Sequence, residues 1–172
     1  MDDKKLAELF AAIRAGSTEA FSVFYEAYKK PVFTVFWRIV SSREMAEDLT
    51  QDLFVKLFMN PPAPSVNNLR AYVFKMARNL ALNALRSKQY TEIEDAQNHP
   101  AGDLSGIDLR LDLDAAISAL QDCERQVLAL HLNADLSFLE ISKIIDQSLP
   151  STYRTYKRAL KKLRNTLDGG SI

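Results

Sequence analysis

Apolar positions recur at intervals of three and four from the first residues onward, and no segment alternates with period two. That pattern predicts helices and no strands. Leu6, Leu9, Phe10 and Ile13 line one face of a short helix over about residues 2–15. Gly16-Ser17-Thr18 interrupts it, and Ser17 is placed to cap the next helix. A second stripe runs from Ala20 to Val40 through Phe21, Phe24, Tyr25, Tyr28, Val32, Val35, Phe36 and Ile39. Pro31 is expected to kink that segment or to mark a turn within it. Ser41-Ser42 opens a third helix over about residues 43–58, with Met45, Leu49, Leu53 and Leu57 as its stripe, joined by Ala46, Phe54 and Phe58. Asn60-Pro61-Pro62-Ala63-Pro64 must be a loop. A fourth helix, from about Val66 to Lys88, turns Leu69, Val73, Met76, Ala77, Leu80, Ala84 and Leu85 inward.

The pattern lapses over residues 89–107, where Gln97-Asn98-His99-Pro100-Ala101-Gly102 is turn chemistry among acids. So long a stretch favours a linker between two domains. Periodicity returns at Leu109, Leu113, Ala116, Ile117 and Leu120, and Asp122 is placed to cap a helix reaching about Leu132. Ser137-Phe138-Leu139-Glu140 has the form of a capping box and starts a short helix ending near Ile145. A tight turn, Asp146-Gln147-Ser148-Leu149, leads to Pro150 in the first turn of a last helix, which stops at Asp168-Gly169-Gly170. The predicted fold is all-α with two small helical domains: a bundle over residues 1–90, an acidic linker over 91–108, and a helix-turn-helix domain over 109–172.

Composition sets outer limits. The chain has 172 residues, 47% hydrophobic and 26% charged, an ordinary globular mix. No apolar run approaches the ~20 residues that span a bilayer, so no membrane insertion is expected. Met1-Asp2-Asp3-Lys4-Lys5 lacks the apolar stretch of a signal peptide. Cys123 is the only cysteine, which excludes an internal disulfide and a cysteine-built zinc site and fits a reduced, cytoplasmic protein. The net charge of zero hides a division. Residues 1–90 carry net +4, residues 91–122 net −7 and residues 123–172 net +3. Such asymmetry suits a polyanion partner or a self-masking linker, and equally a solvated acidic loop with no role.

The last helix holds the clearest chemistry. Tyr153, Tyr156, Leu160, Leu163 and Leu167 are expected to form its buried stripe, and residues 151–164 contain six Lys/Arg and no acid. At 1.5 Å per residue that segment is about 20 Å long and fits a DNA major groove. Ser151, Thr152, Arg154 and Thr155 lie at the end expected to face base edges. Arg158, Lys161 and Lys162 lie further along, placed for phosphates. Residues 68–90 form a second acid-free basic stretch, with Arg70, Lys75, Arg78, Arg86 and Lys88 interleaved with Tyr72 and Phe74. That mix suits single-stranded DNA, although both rings are also candidates for the core. The third helix has the opposite character: Glu44, Glu47, Asp48 and Asp52 oppose Lys56, as on a protein-docking face or a plain solvated one.

Nothing points to catalysis, a metal or a cofactor. The five glycines, at 16, 102, 106, 169 and 170, form no phosphate loop. His99 falls in the linker, His131 reads as a structural or surface residue, and Cys123 lacks a partner.

Together these segments resemble a bacterial RNA polymerase sigma factor of the extracytoplasmic-function (ECF) type. Ala20-Phe21, Tyr25 and Tyr28 resemble the first helix of its promoter-melting domain. Ala46-Glu47-Asp48-Leu49-Thr50-Gln51-Asp52-Leu53-Phe54 resembles its polymerase-binding motif, and Leu69–Leu85-Arg86 the helix that melts and reads the −10 element. Leu136–Ile141 and the helix after it resemble the domain that reads the −35 element.

The resemblance implies a non-catalytic subunit that binds core RNA polymerase through Glu47, Asp48, Gln51, Asp52 and Phe54. It implies contacts to the melted −10 strand by Arg70, Tyr72, Lys75, Arg78, Asn79, Asn83 and Arg86, with Asn79 in the pocket for a flipped base and the loop from Asn60 to Asn68 closing over it. It also implies −35 duplex binding by the last helix, a linker in the RNA exit path, and an anti-sigma factor as a further partner. Tyr72 stands where the family usually has Trp, Asp146 where it has Gly, and Tyr153 where a buried Val is usual. A stand-alone helix-turn-helix regulator and a sigma-like sequestering module are the alternative readings.

Overall fold

A computed structural model describes residues 3–94 and 108–168, with side chains over 3–88 and 113–167. Among these residues there are eight helices and no strand: α1 (Asp3–Arg14), α2 (Thr18–Val40), α3 (Arg43–Met59), α4 (Leu69–Glu94), α5 (Asp108–Ser118), α6 (Asp122–Leu132), α7 (Phe138–Ile145) and α8 (Leu149–Asp168). The all-α expectation holds. The central part of the expected linker, residues 95–107 with His99, lies outside the described residues. Its flanks are helical, because α4 continues past Lys88 to Glu94 and α5 begins at Asp108.

Local chemistry sets most helix ends. Ser17 Oγ accepts from Ala20 N at 3.1 Å and Ser42 Oγ from Met45 N at 3.3 Å. Asn68 Oδ1 accepts from Ala71 N at 2.8 Å, which fixes the start of α4 at Leu69, three residues later than the apolar pattern suggests. The expected cap of α6 is corrected: Gln121, not Asp122, is the cap residue, and Glu124 accepts from its N–H at 3.0 Å. Pro31 does not divide α2, whose 23 residues form one helix. Thr34 Oγ1 donates to Lys30 O at 2.9 Å just beyond the proline.

Phe10, Phe24, Val32, Phe36, Leu53, Leu57 and Phe74 are buried at the centre of the first four helices. The same cluster continues into Val127, Leu130, Leu136 and Ile141 of the C-terminal half, where α6 packs on α2 and α7 on α4. Ala116, Ile117, Leu120, Leu128, Ala159 and Leu163 form a smaller cluster that seats α8 on α5 and α6. Polar pairs also join the halves: Arg38 Nη1 to Asp114 Oδ1 at 2.6 Å, and Arg78 Nε to Gln126 Oε1 at 2.8 Å. Asn68 Nδ2 donates to Glu140 Oε1, and Arg70 Nη1 lies 3.2 Å from Asp135 Oδ2.

Six expected core positions are corrected. Tyr25 on α2, Phe58 near the end of α3 and Leu113 on α5 are exposed, because no other helix covers those positions. The buried face of α8 is rotated by about one residue from the expected stripe: Thr152, Thr155, Ala159 and Leu163 are buried, while Tyr153, Leu160 and Leu167 are exposed. Thr152 can be buried because its Oγ1 donates to Ser148 O at 3.1 Å, which satisfies the hydroxyl within the helix.

Candidate nucleic-acid and polymerase-binding surfaces

The outer face of α3 carries Glu47, Asp48, Gln51 and Asp52, all exposed. Glu47 also accepts from Arg43 Nε at 2.9 Å. Phe54 does not join them. It is buried, with its ring edge-on to Phe24 at 5.5 Å and to Tyr25 at 4.7 Å. It belongs to the core because α3 places it on the face turned to α2. The exposed row continues instead through Val55 and Met59, the latter 70% exposed. The signal for these two was present in the spacing, since 48, 52, 55 and 59 share a helix face.

On α4 the seven expected −10 residues divide between faces. Tyr72, Lys75, Asn79, Asn83 and Arg86 follow one another at steps of three and four, so they lie along one side. Lys75, Asn79, Asn83 and Arg86 are exposed, and Tyr72 is half-buried. Arg70 and Arg78 face the C-terminal half, where they meet Asp135 and Gln126. Phe74, one of the two rings interleaved with this basic stretch, is buried beside Tyr28 at 6.1 Å. Burial pushes the Tyr28 phenol up, and Arg70 partly opposes that shift.

The helix-turn-helix is α7, its turn and α8. Ser137 Oγ accepts from Glu140 N at 3.3 Å, while Glu140 Oε2 accepts from Ser137 N at 2.7 Å, closing the expected capping box. Burial opposes ionisation of Glu140, but the hydrogen bonds from Ser137 and Asn68 hold its carboxyl below the usual range. Asp146 ends α7 in the left-handed region at φ 55°, ψ 52°, and its N–H donates to Ser142 O. Gln147 N donates to the same carbonyl at 2.9 Å. A non-glycine residue thus makes the turn that glycine usually makes, and Asp is among the few that tolerate it.

Of the seven expected −35 residues, Arg154, Arg158 and Lys161 are exposed and Ser151 and Lys162 are half-buried. Thr152 and Thr155 are buried and cannot present their side chains to a groove. Glu124, fully buried at 0% exposure, accepts from Arg158 Nε at 2.6 Å and from Lys162 Nζ at 2.8 Å. Burial opposes its ionisation. The Lys162 ammonium, the Gln121 N–H and the Arg158 guanidinium outweigh that cost and hold the carboxyl below its usual value. Tyr153, Lys157 and Arg164, none of them an expected site residue, are exposed on α8 beside Arg154 and Lys161.

Known proteins resemble this chain in sequence and in fold. The family model described as Sigma-70 region 2 matches residues 24–91. The chain is 22% identical to the ECF RNA polymerase sigma factor SigW of Bacillus subtilis, over 90% of this chain and 92% of that protein. It is 25% identical to the ECF RNA polymerase sigma factor SigK of Mycobacterium tuberculosis, over 87% of this chain and 86% of that one. Over most of its length the chain is thus similar to sigma factors of the ECF type.

Two solved structures share the fold of this chain at a TM-score of 0.70. One is CnrH in complex with the cytosolic domain of CnrY, 20% identical, with 96% of this chain and 98% of that chain covered. The other is the sigma factor RpoE in complex with the anti-sigma factor NepR from Bartonella quintana, 22% identical, covering 88% and 98%. Among the described residues of this chain, no group of three or more His, Cys, Asp or Glu could hold a metal ion, and no helix is long and apolar enough to cross a membrane. His131 Nδ1 lies 2.9 Å from Leu136 O and its ring stacks on Phe138, which is a structural placement.

Proposed function

We propose that this chain is a sigma factor of the ECF type, a cytoplasmic, non-catalytic specificity subunit that carries core RNA polymerase to promoters through two DNA elements. Residues 1–90 bind core and the melted −10 strand, residues 91–108 link the halves, and residues 109–172 dock on the −35 duplex. The observation that carries the reading is the separation of an acidic outer face on α3 from an acid-free cationic face on α8. A single chain thereby offers one surface to a protein and another to a polyanion.

In this reading Glu47, Asp48, Gln51 and Asp52 meet the polymerase, with Val55 and Met59 extending the contact. The row Tyr72, Lys75, Asn79, Asn83 and Arg86 follows the single strand, where a base can stack on the ring while cations pair with phosphates. Arg154 and Ser151 face base edges, and Lys157, Lys161 and Arg164 face phosphates. Arg158 and Lys162 keep a share of phosphate contact from their half-exposed positions while Glu124 fixes their direction. CnrH and RpoE were each solved with a bound partner. An anti-sigma factor is accordingly proposed for this chain too.

The test is size-exclusion chromatography of the purified chain with bacterial core polymerase. Co-elution of the wild type, lost in a folded Asp48→Lys variant, is the expected result. A variant that still co-elutes would remove α3 from the interface. Failure of the folded wild type with its cognate core would overturn the reading.

A further inference from the structure

Tyr153 is the aromatic residue that the apolar pattern assigns to the core of the helix-turn-helix and that the fold leaves outside it. It lies in the second turn of α8 and is 47% exposed. Its ring is not loose. Phe138 of α7 meets it edge-on at 5.4 Å, and Lys157 Nζ, one turn further along α8, lies 5.7 Å from its centroid. Phe138 in turn packs against Tyr156 at 5.0 Å and His131 at 4.4 Å, so the ring rests on a built aromatic support.

Position on the helix matters as much as exposure. The buried positions Thr152, Thr155, Ala159 and Leu163 define the inner face of α8. Tyr153, Arg154, Lys157, Lys161 and Arg164 lie on the other side. The cations of that face run toward the C-terminal end, where a helix in the major groove meets the backbone. Tyr153 and Arg154 lie at the N-terminal end, which meets base edges. Arginine reads guanine through two acceptors, but a phenyl surface has no such code. What it can match in the major groove is the one apolar group there, the C5-methyl of thymine.

We propose that Tyr153 is a specificity-determining residue of α8, its ring packing on a thymine methyl of the −35 duplex. The proposal rests on the reading that α8 docks in that duplex. It adds a preference for thymine at one position next to the base faced by Arg154. The contact is made by the ring, so the phenolic hydroxyl is dispensable.

The experiment is competition binding of the full chain with core polymerase to promoter duplexes randomised across the −35 element, followed by replacement of each selected thymine with uracil. With wild-type protein, one uracil should weaken binding about fourfold, the value of removing one methyl from water. Tyr153→Phe should behave as wild type. Tyr153→Ala should lose the preference for thymine at that position and become indifferent to uracil there, while its dependence on salt stays unchanged. Wild-type binding that no uracil weakens overturns the proposal without use of any variant. So does a uracil penalty equally large in Tyr153→Ala. If wild-type protein selects no −35 sequence at all, the docking of α8 fails along with it. If selection is present and Lys161→Ala reduces the salt dependence while Tyr153→Ala changes nothing, the docking stands and the role of Tyr153 alone is lost.

Discussion

Two residues of the C-terminal half illustrate how differently a charge acts when buried and when exposed. Glu124 has no solvent contact and receives Arg158, Lys162 and the Gln121 N–H. Replacing it with Gln keeps the shape but weakens charge-assisted bonds, so Glu124→Gln should lower stability by about 1–3 kcal/mol, measured by urea denaturation. Lys161 is exposed on the cationic face of α8. Lys161→Ala should leave stability unchanged and flatten the salt dependence of duplex binding by about one unit, uniformly across sequences. An unchanged slope would place this lysine off the phosphates.

At the scale of the element, the same helix supplies both core and surface, and variants of α3 separate the two. Phe54 is buried against Phe24 and Tyr25, and its truncation should cost about 3–5 kcal/mol. Phe54→Ala should therefore lower the unfolding midpoint, whereas Asp48→Lys should leave it in place and remove only polymerase binding. Thermal melts of the two variants side by side check this. The end of α7 carries a second prediction. Asp146 holds a left-handed conformation at φ 55°, which costs a non-glycine residue roughly 1 kcal/mol. Asp146→Gly should raise stability by up to about 1 kcal/mol. A loss would show that the Asp side chain contributes more than its backbone strain costs.

At the scale of the whole molecule, the two halves share one buried cluster, and their polar pairs cross between them. Leu130, on α6, is fully buried in that cluster. Leu130→Ala should cost about 2–5 kcal/mol. The loss should appear in the fluorescence of Trp37, on α2 in the other half, at the same denaturant concentration as in far-UV circular dichroism. Separate transitions would mean that the halves unfold independently. Acid should weaken the assembly as well. Glu124 and Glu140 both have carboxyls held below the ordinary glutamate value by their hydrogen-bond donors. Their contribution is present above that value and is lost as pH falls through the lower folded-state values. Glu140 also accepts from Asn68, so this loss reaches the contact between halves.

The sequence by itself determined the elements. Apolar spacing and capping chemistry are local, and the caps at Ser17, Ser42 and Ser137, the left-handed turn at Asp146 and the helical class all follow from residues within a few positions of one another. Motif order made the resemblance to sigma factors legible for the same reason. Tertiary structure decided which face of each helix is inside. On α8, hydropathy favours Tyr153 over Thr152, but a threonine whose hydroxyl bonds its own helix can be buried, and the packing of α8 on its neighbours turns Thr152 inward and Tyr153 outward. On α3, Phe54 and Val55 are adjacent and both apolar, and only the position of α2 turns the first inward and leaves the second exposed. On α4, the basic residues are alike in sequence, yet the packing of α6 and α7 draws Arg70 and Arg78 away from the outward row. Neighbouring side chains on a helix point about 100° apart, and burial depends on partners distant in the chain, so only the assembled fold could assign those faces.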